Sequence, residues 1–287
     1  MQGSFGAEGS IVKPERPWAV IAFCAALALL YAPVVAASAL SWFNDDDMAH
    51  GVFIIPVSLW ILWMQRDQIR ELPIRATAWG LAPLALGLLM EIAGYAMGSK
   101  SLAMLSLIPA LSGAVLMLHG RELLKASAFP IGFLFFTARL PFGLSETLSQ
   151  WIQRLSSAGS AGLMNLLGYA IIQRGNQIQI PGFVLDVADV CSGFKKLLAL
   201  VAFALLYGYL FQLSPVRRAL LVAAAIPIAV IANIVRISGL IAVTSAFGLH
   251  GLHLAHDGAE IVVLVISFFC FVAVGKLLGC ERIRFSP

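Results

Sequence analysis

Charge is scarce in this chain. Of its 287 residues, 12% are Asp, Glu, Lys or Arg and 60% are hydrophobic, whereas a soluble globular chain is about a quarter charged and about half apolar. That shortage excludes a water-facing surface over most of the molecule and points to a polytopic membrane protein. A basic block is missing too. The net charge is +4, and the Lys and Arg residues fall in small groups between apolar runs, which speaks against a nucleic-acid partner. Cysteine is sparse. Cys24, Cys191, Cys270 and Cys280 form neither a CxxC pair nor a disulfide framework. Internal repeats and low-complexity tracts are absent.

What the chain has in quantity is apolar segments long enough to cross a bilayer, which takes about 20 residues each. They lie near 18–40, 50–64, 78–98, 101–119, 126–142, 193–213, 216–247 and 259–279. The first follows Lys13 and Arg16 and contains the small residues Ala36 to Ala39. It is longer than a usual signal-peptide core and is followed by further spans, so it reads as a retained helix. The seventh is too long for one straight span and contains Pro227, so either a kink there or continuation past the bilayer is expected. The expected fold is an all-α polytopic membrane protein of about eight spans. Residues 17–280 form one transmembrane domain between short tails, 1–16 and 281–287.

Loop charge sets the direction, since cytoplasmic loops collect Lys and Arg. With the N-terminus inside, Lys13 and Arg16, then Arg66, Arg70 and Arg75, then Arg121 and Lys125, then Arg217 and Arg218, and finally Lys276, Arg282 and Arg284 all fall on the cytoplasmic side. The tail 281–287 is then cytoplasmic as well. The acidic "NDDD" of residues 44–47 and the long stretch 143–190 fall outside. That stretch opens with an amphipathic helix in which Trp151 and nearby leucines dip into the interface. It continues as a small β-hairpin around Arg174-Gly175-Asn176 and Pro181-Gly182, which delivers the chain to Cys191.

Three groups of reactive side chains share this outer side. Cys191 stands where the sixth span begins, and unpaired amides and the dipole at a helix N-terminus favour a thiolate. Lys195 lies one turn on and adds a cation. Arg236 lies late in the seventh span, where a guanidinium can hold a developing oxyanion, and Asn233, three residues earlier on the same face, can orient it. His250, His253 and His256 recur at three-residue spacing before the last span. One of them can carry a proton, or two or three can hold a metal with Asp257. Asp47 and His50 in "DDDMAHG" either line the mouth of the site or are simply solvated. The residues alone leave three readings open: a thiol enzyme, an intramembrane metalloenzyme on the His250/His253/His256 cluster, and a non-enzymatic transporter or lipid-glycan binder holding an anion at Arg236.

Four ordered segments resemble the exosortase/archaeosortase family of membrane transpeptidases: "WFNDDDMAHGVFIIPVSLWILW", "GNQIQIPGFVLDVADVCSGFKKLLAL", "NIVRISGL" and "HDGAEIVVLVISFF". The resemblance implies Cys191 as nucleophile, Arg236 as oxyanion stabiliser and His256 as proton carrier, with His253 taking that role if the last box is read from it. It implies no cofactor. Two positions depart from the family pattern: Lys195 stands where Arg is common, and Glu260 where Gly is frequent. The implied substrates are exported proteins with a C-terminal sorting signal, often Pro-Glu-Pro in the bacterial branch, passed to an amine acceptor. The His-Gly box is closer to the bacterial branch, which implies the cytoplasmic (inner) membrane.

Overall fold

The computed structural model describes residues 17–45, 48–139, 144–180, 183–186, 193–211 and 214–279, of which 17, 145, 183, 193–197, 249–257 and 259–264 are described as backbone only. The chain divides into two compact units, Met1–Pro141 and Phe142–Pro287.

The first unit holds α1 (Pro17–Asn44), α2 (Gly51–Met64), the short α3 (Arg66–Arg70), α4 (Leu81–Ala96), α5 (Lys100–Leu118) and α6 (Arg121–Phe133), which a 3-10 turn extends over Leu134–Thr137. α4 and α5 form a tight antiparallel pair. Gly98 turns the chain with φ 64°, and the Ser99 hydroxyl caps α5 by accepting from the Leu102 amide at 3.3 Å. Gly80, Gly87 and Gly94 recur every seven residues and face Gly113, Ala110 and Ala103 in turn. A Cβ placed on Gly87 or on Gly94 would stand 2.6 Å from the Ala110 or Ala103 amide nitrogen. Small residues let backbones approach this closely where lipid supplies no hydrophobic drive between helices. Gly87→Leu is therefore expected to force the pair apart and destabilise this unit by about 1–3 kcal/mol or more, seen as a lower unfolding temperature in detergent.

α4 exposes Leu81, Leu86, Leu89 and Ile92 while burying Leu84, Gly87 and Gly94. Most of its large apolar side chains thus point outward and its glycines inward, as suits a helix surrounded by lipid.

The second unit holds α7 (Leu144–Leu166), a three-stranded antiparallel sheet β1 (Ile172–Arg174), β2 (Gln177–Ile180) and β3 (Phe183–Asp186), then α8 (Gly193–Leu210) and α9 (Pro215–Leu277). The expected hairpin is present and gains a third strand, with Gln177 opposite Asp186. α7 is amphipathic in an inverted sense. Gln153, Ser156, Ser157 and Ser160 are buried, whereas Leu148, Trp151, Leu155 and Leu166 are exposed. Its inner face packs Ala161 and Met164 against Ile178, Ile180 and Leu185 of the sheet and Ile237, Leu240 and Ile241 of α9.

α9 is broken at Gly248, with φ 67° and ψ −163°. Pro227 lies inside the first arm, which is helical from Pro215 to Gly248, just past the end of the expected seventh span. Proline removes one amide from the ladder, but only glycine takes a positive φ freely. Ala225 and Phe271 share a core with Leu200 and Ala204 of α8. Ile228, Ala232 and Val235 line one cavity with Ile266, Ser267 and Cys270. These partners lie nearly equal distances along the chain from Gly248, so the two arms run antiparallel as a helical hairpin. The histidine segment, expected as a connection, is helical and opens the second arm.

Among the described residues, four helical segments have the length and apolarity to cross a membrane: Trp18–Asn44, Ala78–Ala96, Lys100–Leu118 and Pro215–Gly248. Gly51–Met64, Leu198–Leu210 and Val265–Leu277 are shorter apolar helices. These match seven of the expected spans in position. The remaining one, 126–142, is represented by α6 and its 3-10 turn. Charged Arg121, Glu122 and Lys125 occupy the start of α6, and residues 140–143 lie outside the described set.

Candidate active site

In the second unit a polar seam runs between α7 and the first arm of α9. The Asn233 side-chain amide donates to the Ser156 hydroxyl at 3.1 Å, and the Ser160 hydroxyl donates to the Ile234 carbonyl at 3.2 Å. Gly159 leaves room for the Ile234 side chain, since a Cβ there would stand 2.5 Å from its terminal carbon. Arg236 is 3% exposed and Asn233 2% exposed. A charge held inside a helical membrane protein is costly and marks function by default. The Ser157 hydroxyl and the Asn233 side-chain carbonyl are buried with no hydrogen-bond partner among the described residues.

α7 also fixes the sheet. The Asn165 side chain donates to the Ile171 carbonyl at 3.3 Å and accepts from the Ile171 amide at 3.1 Å, and Asn176 donates to Gln153 at 2.9 Å. β3 ends at Asp186, seven residues before α8 begins at Gly193. Cys191 lies between them, outside the described residues. Lys195 is the third residue of α8, with its side chain outside the description.

Along α9, Arg236 lies 12 residues before Gly248 and His256 eight residues after it, one on each arm. His250, His253 and His256 lie on the described helix, with side chains outside the description. Asn233, read from sequence as a partner for Arg236, bonds instead to Ser156 across the α7 interface. The hydroxyl seam of α7 is not among the expected features. Its signal in the sequence is the succession Ser149, Gln153, Ser156 and Ser160, which falls on one face of an otherwise leucine-striped helix.

The first unit carries the other expected site residues. Trp42 lies over Gly51, where a Cβ would meet its ring at 2.6 Å, and its indole N–H donates to the Thr137 carbonyl at 3.1 Å. Asp45 pairs with Arg139. Asp47 lies outside the described residues. His50 stands just before α2, beside the Phe136 backbone; burial pulls its pKa below the ordinary value, and a hydrogen bond to that backbone opposes the shift. A histidine whose folded pKa is depressed contributes stability that is present above its unfolded pKa and lost as pH falls through the folded one. The unfolding temperature in detergent is therefore expected to fall as pH drops below about 6.5, and His50→Gln should flatten part of that fall.

A polar contact inside the spans is a further unexpected feature. The Ser106 hydroxyl lies 3.0 Å from Glu91 of α4 and 3.0 Å from the Tyr31 hydroxyl of α1. Its only sign in the sequence is a single acid within the apolar run 78–98.

Comparison with known proteins places a family described as Transmembrane exosortase over residues 42–273. No curated protein and no solved structure matches the chain.

Proposed function

The chain belongs to the transmembrane exosortase family, and from that premise we propose that it is a membrane cysteine transpeptidase acting on exported proteins with a C-terminal sorting signal of the Pro-Glu-Pro type. The observation that carries this reading is Arg236, a guanidinium 3% exposed within α9, one turn on from Asn233, which bonds Ser156 of α7.

In this reading the Cys191 thiolate attacks the carbonyl carbon of the peptide bond at the signal. The carbonyl electron pair moves to oxygen, and the Arg236 guanidinium holds the resulting oxyanion. The intermediate collapses as the C–N bond breaks, and His256 gives a proton to the leaving amine. The thioester that remains is attacked by an amine acceptor, which completes transfer, or by water, which completes hydrolysis; the attacking group gives its proton to His256, and the C–S bond breaks. The thiolate leaves unchanged. His253 is the alternative proton carrier, and Lys195 favours the thiolate. Asn233 steadies the helix that bears Arg236. Asp47 and His50 are the remaining candidates, near the start of the matched segment. The reaction takes place on the extracytoplasmic face of a bacterial inner membrane, with both termini cytoplasmic. The substrate's own membrane helix lies beside the spans and holds the scissile bond near the interface.

The test is co-expression with a protein bearing such a signal. A hydroxylamine-labile adduct between the two chains is expected, together with a shortened product. Shortening without any thiol-linked adduct, even when the acceptor is limiting, would count against the cysteine mechanism.

A further inference from the structure

Two connections of two residues each, Gly175-Asn176 and Pro181-Gly182, link the strands of the sheet, with Arg174 opposite Gln177 and Ile180 opposite Phe183. Residues that flank such a connection exchange both main-chain hydrogen bonds, and the ladder alternates from there. Gln177 and Gln179 of β2 therefore turn toward β1, and Ile178 and Ile180 toward β3. Both hairpins agree on this alternation. The outer edges follow from it. Gln173, and Ile171 just before β1, turn their main chain away from β2, as do Val184 and Asp186 of β3.

The two edges differ. On the β1 side, Asn165 of α7 takes up both main-chain groups of Ile171, accepting from its amide at 3.1 Å and donating to its carbonyl at 3.3 Å. A side-chain amide there stands in for the next strand and closes that edge. On the β3 side, the outward amide and carbonyl of Val184 have no hydrogen-bond partner among the described residues, and Val184 is 56% exposed. An uncovered edge is a template for a further strand.

The open edge belongs to the element that leads to the proposed nucleophile. Leu185 of β3, with Ile178 and Ile180 of β2, packs on Ile237, Leu240 and Ile241 of α9, and Ile237 follows Arg236 directly. Cys191 is five residues beyond Asp186, a reach of at most about 17 Å of extended chain. An extended peptide exposes its carbonyls to attack. A sheet edge takes only an extended peptide, through main-chain hydrogen bonds that do not depend on its side chains. We propose that the open edge of β3 binds the substrate as a fourth strand across Val184, taking the extended segment next to the scissile bond. This docking rests on the transpeptidase reading and adds to it how the peptide is held.

The full chain, co-expressed with a reporter protein that carries a Pro-Glu-Pro-type signal, tests this. Val184→Pro removes the outward amide and leaves the β2–β3 ladder intact, as proline does on an edge strand. Processing is expected to fall about tenfold or more, the effect of a lost main-chain hydrogen bond together with the obstructing ring. Val184→Thr keeps the amide and should process nearly as wild type. Gln173→Pro makes the same change on the β1 edge and should leave processing unchanged. A second measurement does not depend on those variants folding. In purified Cys191→Ala protein in nanodiscs, deuterium exchange at the Val184 amide should slow when the reporter is added, with no slowing at Gln173. Docking on β3 is overturned if Val184→Pro processes as wild type, if Gln173→Pro loses as much, or if the Val184 amide exchanges equally fast with and without reporter. Slowing that follows the concentration of the enzyme itself, without reporter, would assign the edge to a second copy of this chain and also overturn it. Processing that persists in Cys191→Ala would instead refute the cysteine reading, and exchange at Val184 alone then decides the edge.

Discussion

Cys191→Ala is expected to stop processing of a signal-bearing protein, with a loss on the order of 10³-fold or more. The substitution removes the only group that carries the acyl chain in the proposed scheme, and no neighbouring residue can replace a sulfur that forms and releases a thioester. Docking of the substrate helix should survive, because alanine occupies less space and leaves the spans untouched. The measurement is the fraction of shortened product on co-expression, with membrane insertion of the variant checked separately. Cys191→Ser should be nearly as inactive, since a hydroxyl is far less acidic than a thiol. Normal processing by either variant ends the thiol reading and returns the histidine cluster to consideration.

Arg236→Ala is expected to lower the rate of thioester formation by about 10²- to 10³-fold, the usual cost of removing an oxyanion donor. Arg236→Lys should recover only part of that loss. Lysine keeps the charge but presents a single ammonium where the guanidinium offers a fixed fork of N–H donors. The loss should fall on kcat, because the interaction strengthens only as charge develops on the carbonyl oxygen. Single-turnover measurement of adduct formation separates the outcomes. A change confined to KM would show that Arg236 holds the ground state and has no part in the oxyanion.

Much of this architecture is legible in the sequence, and where it is not the reasons are physical. Apolar runs locate α1, α4, α5 and the first arm of α9, because hydrocarbon imposes length and composition together. The turn residues Gly175 and Asn176 mark the sheet. Arg236 declares itself by its cost. The reversal in α9 falls between the expected spans 216–247 and 259–279; what is hidden is that the connection is one residue, because the segment around Gly248 has helical composition on both sides. The α7 seam is hidden for a different reason. The outward face of Trp151, Leu148 and Leu155 is legible, but the sequence does not say which helix meets the polar face of Gln153, Ser156 and Ser160 that turns in. The close seam of α4 and α5 is present in sequence as three glycines seven apart, but its partner face depends on which helix packs there.

The one-residue turn of α9 bears on how the chain is assembled. A polytopic protein normally passes a polar loop across the bilayer between successive spans. At Gly248 there is almost no loop to pass: the helix reverses on a single glycine and resumes at once. The two arms therefore suit insertion as one piece, with the three histidines carried at the start of the second arm. A longer polar insert at Gly248 would separate that event into two and make delivery of the histidines depend on the second arm inserting alone.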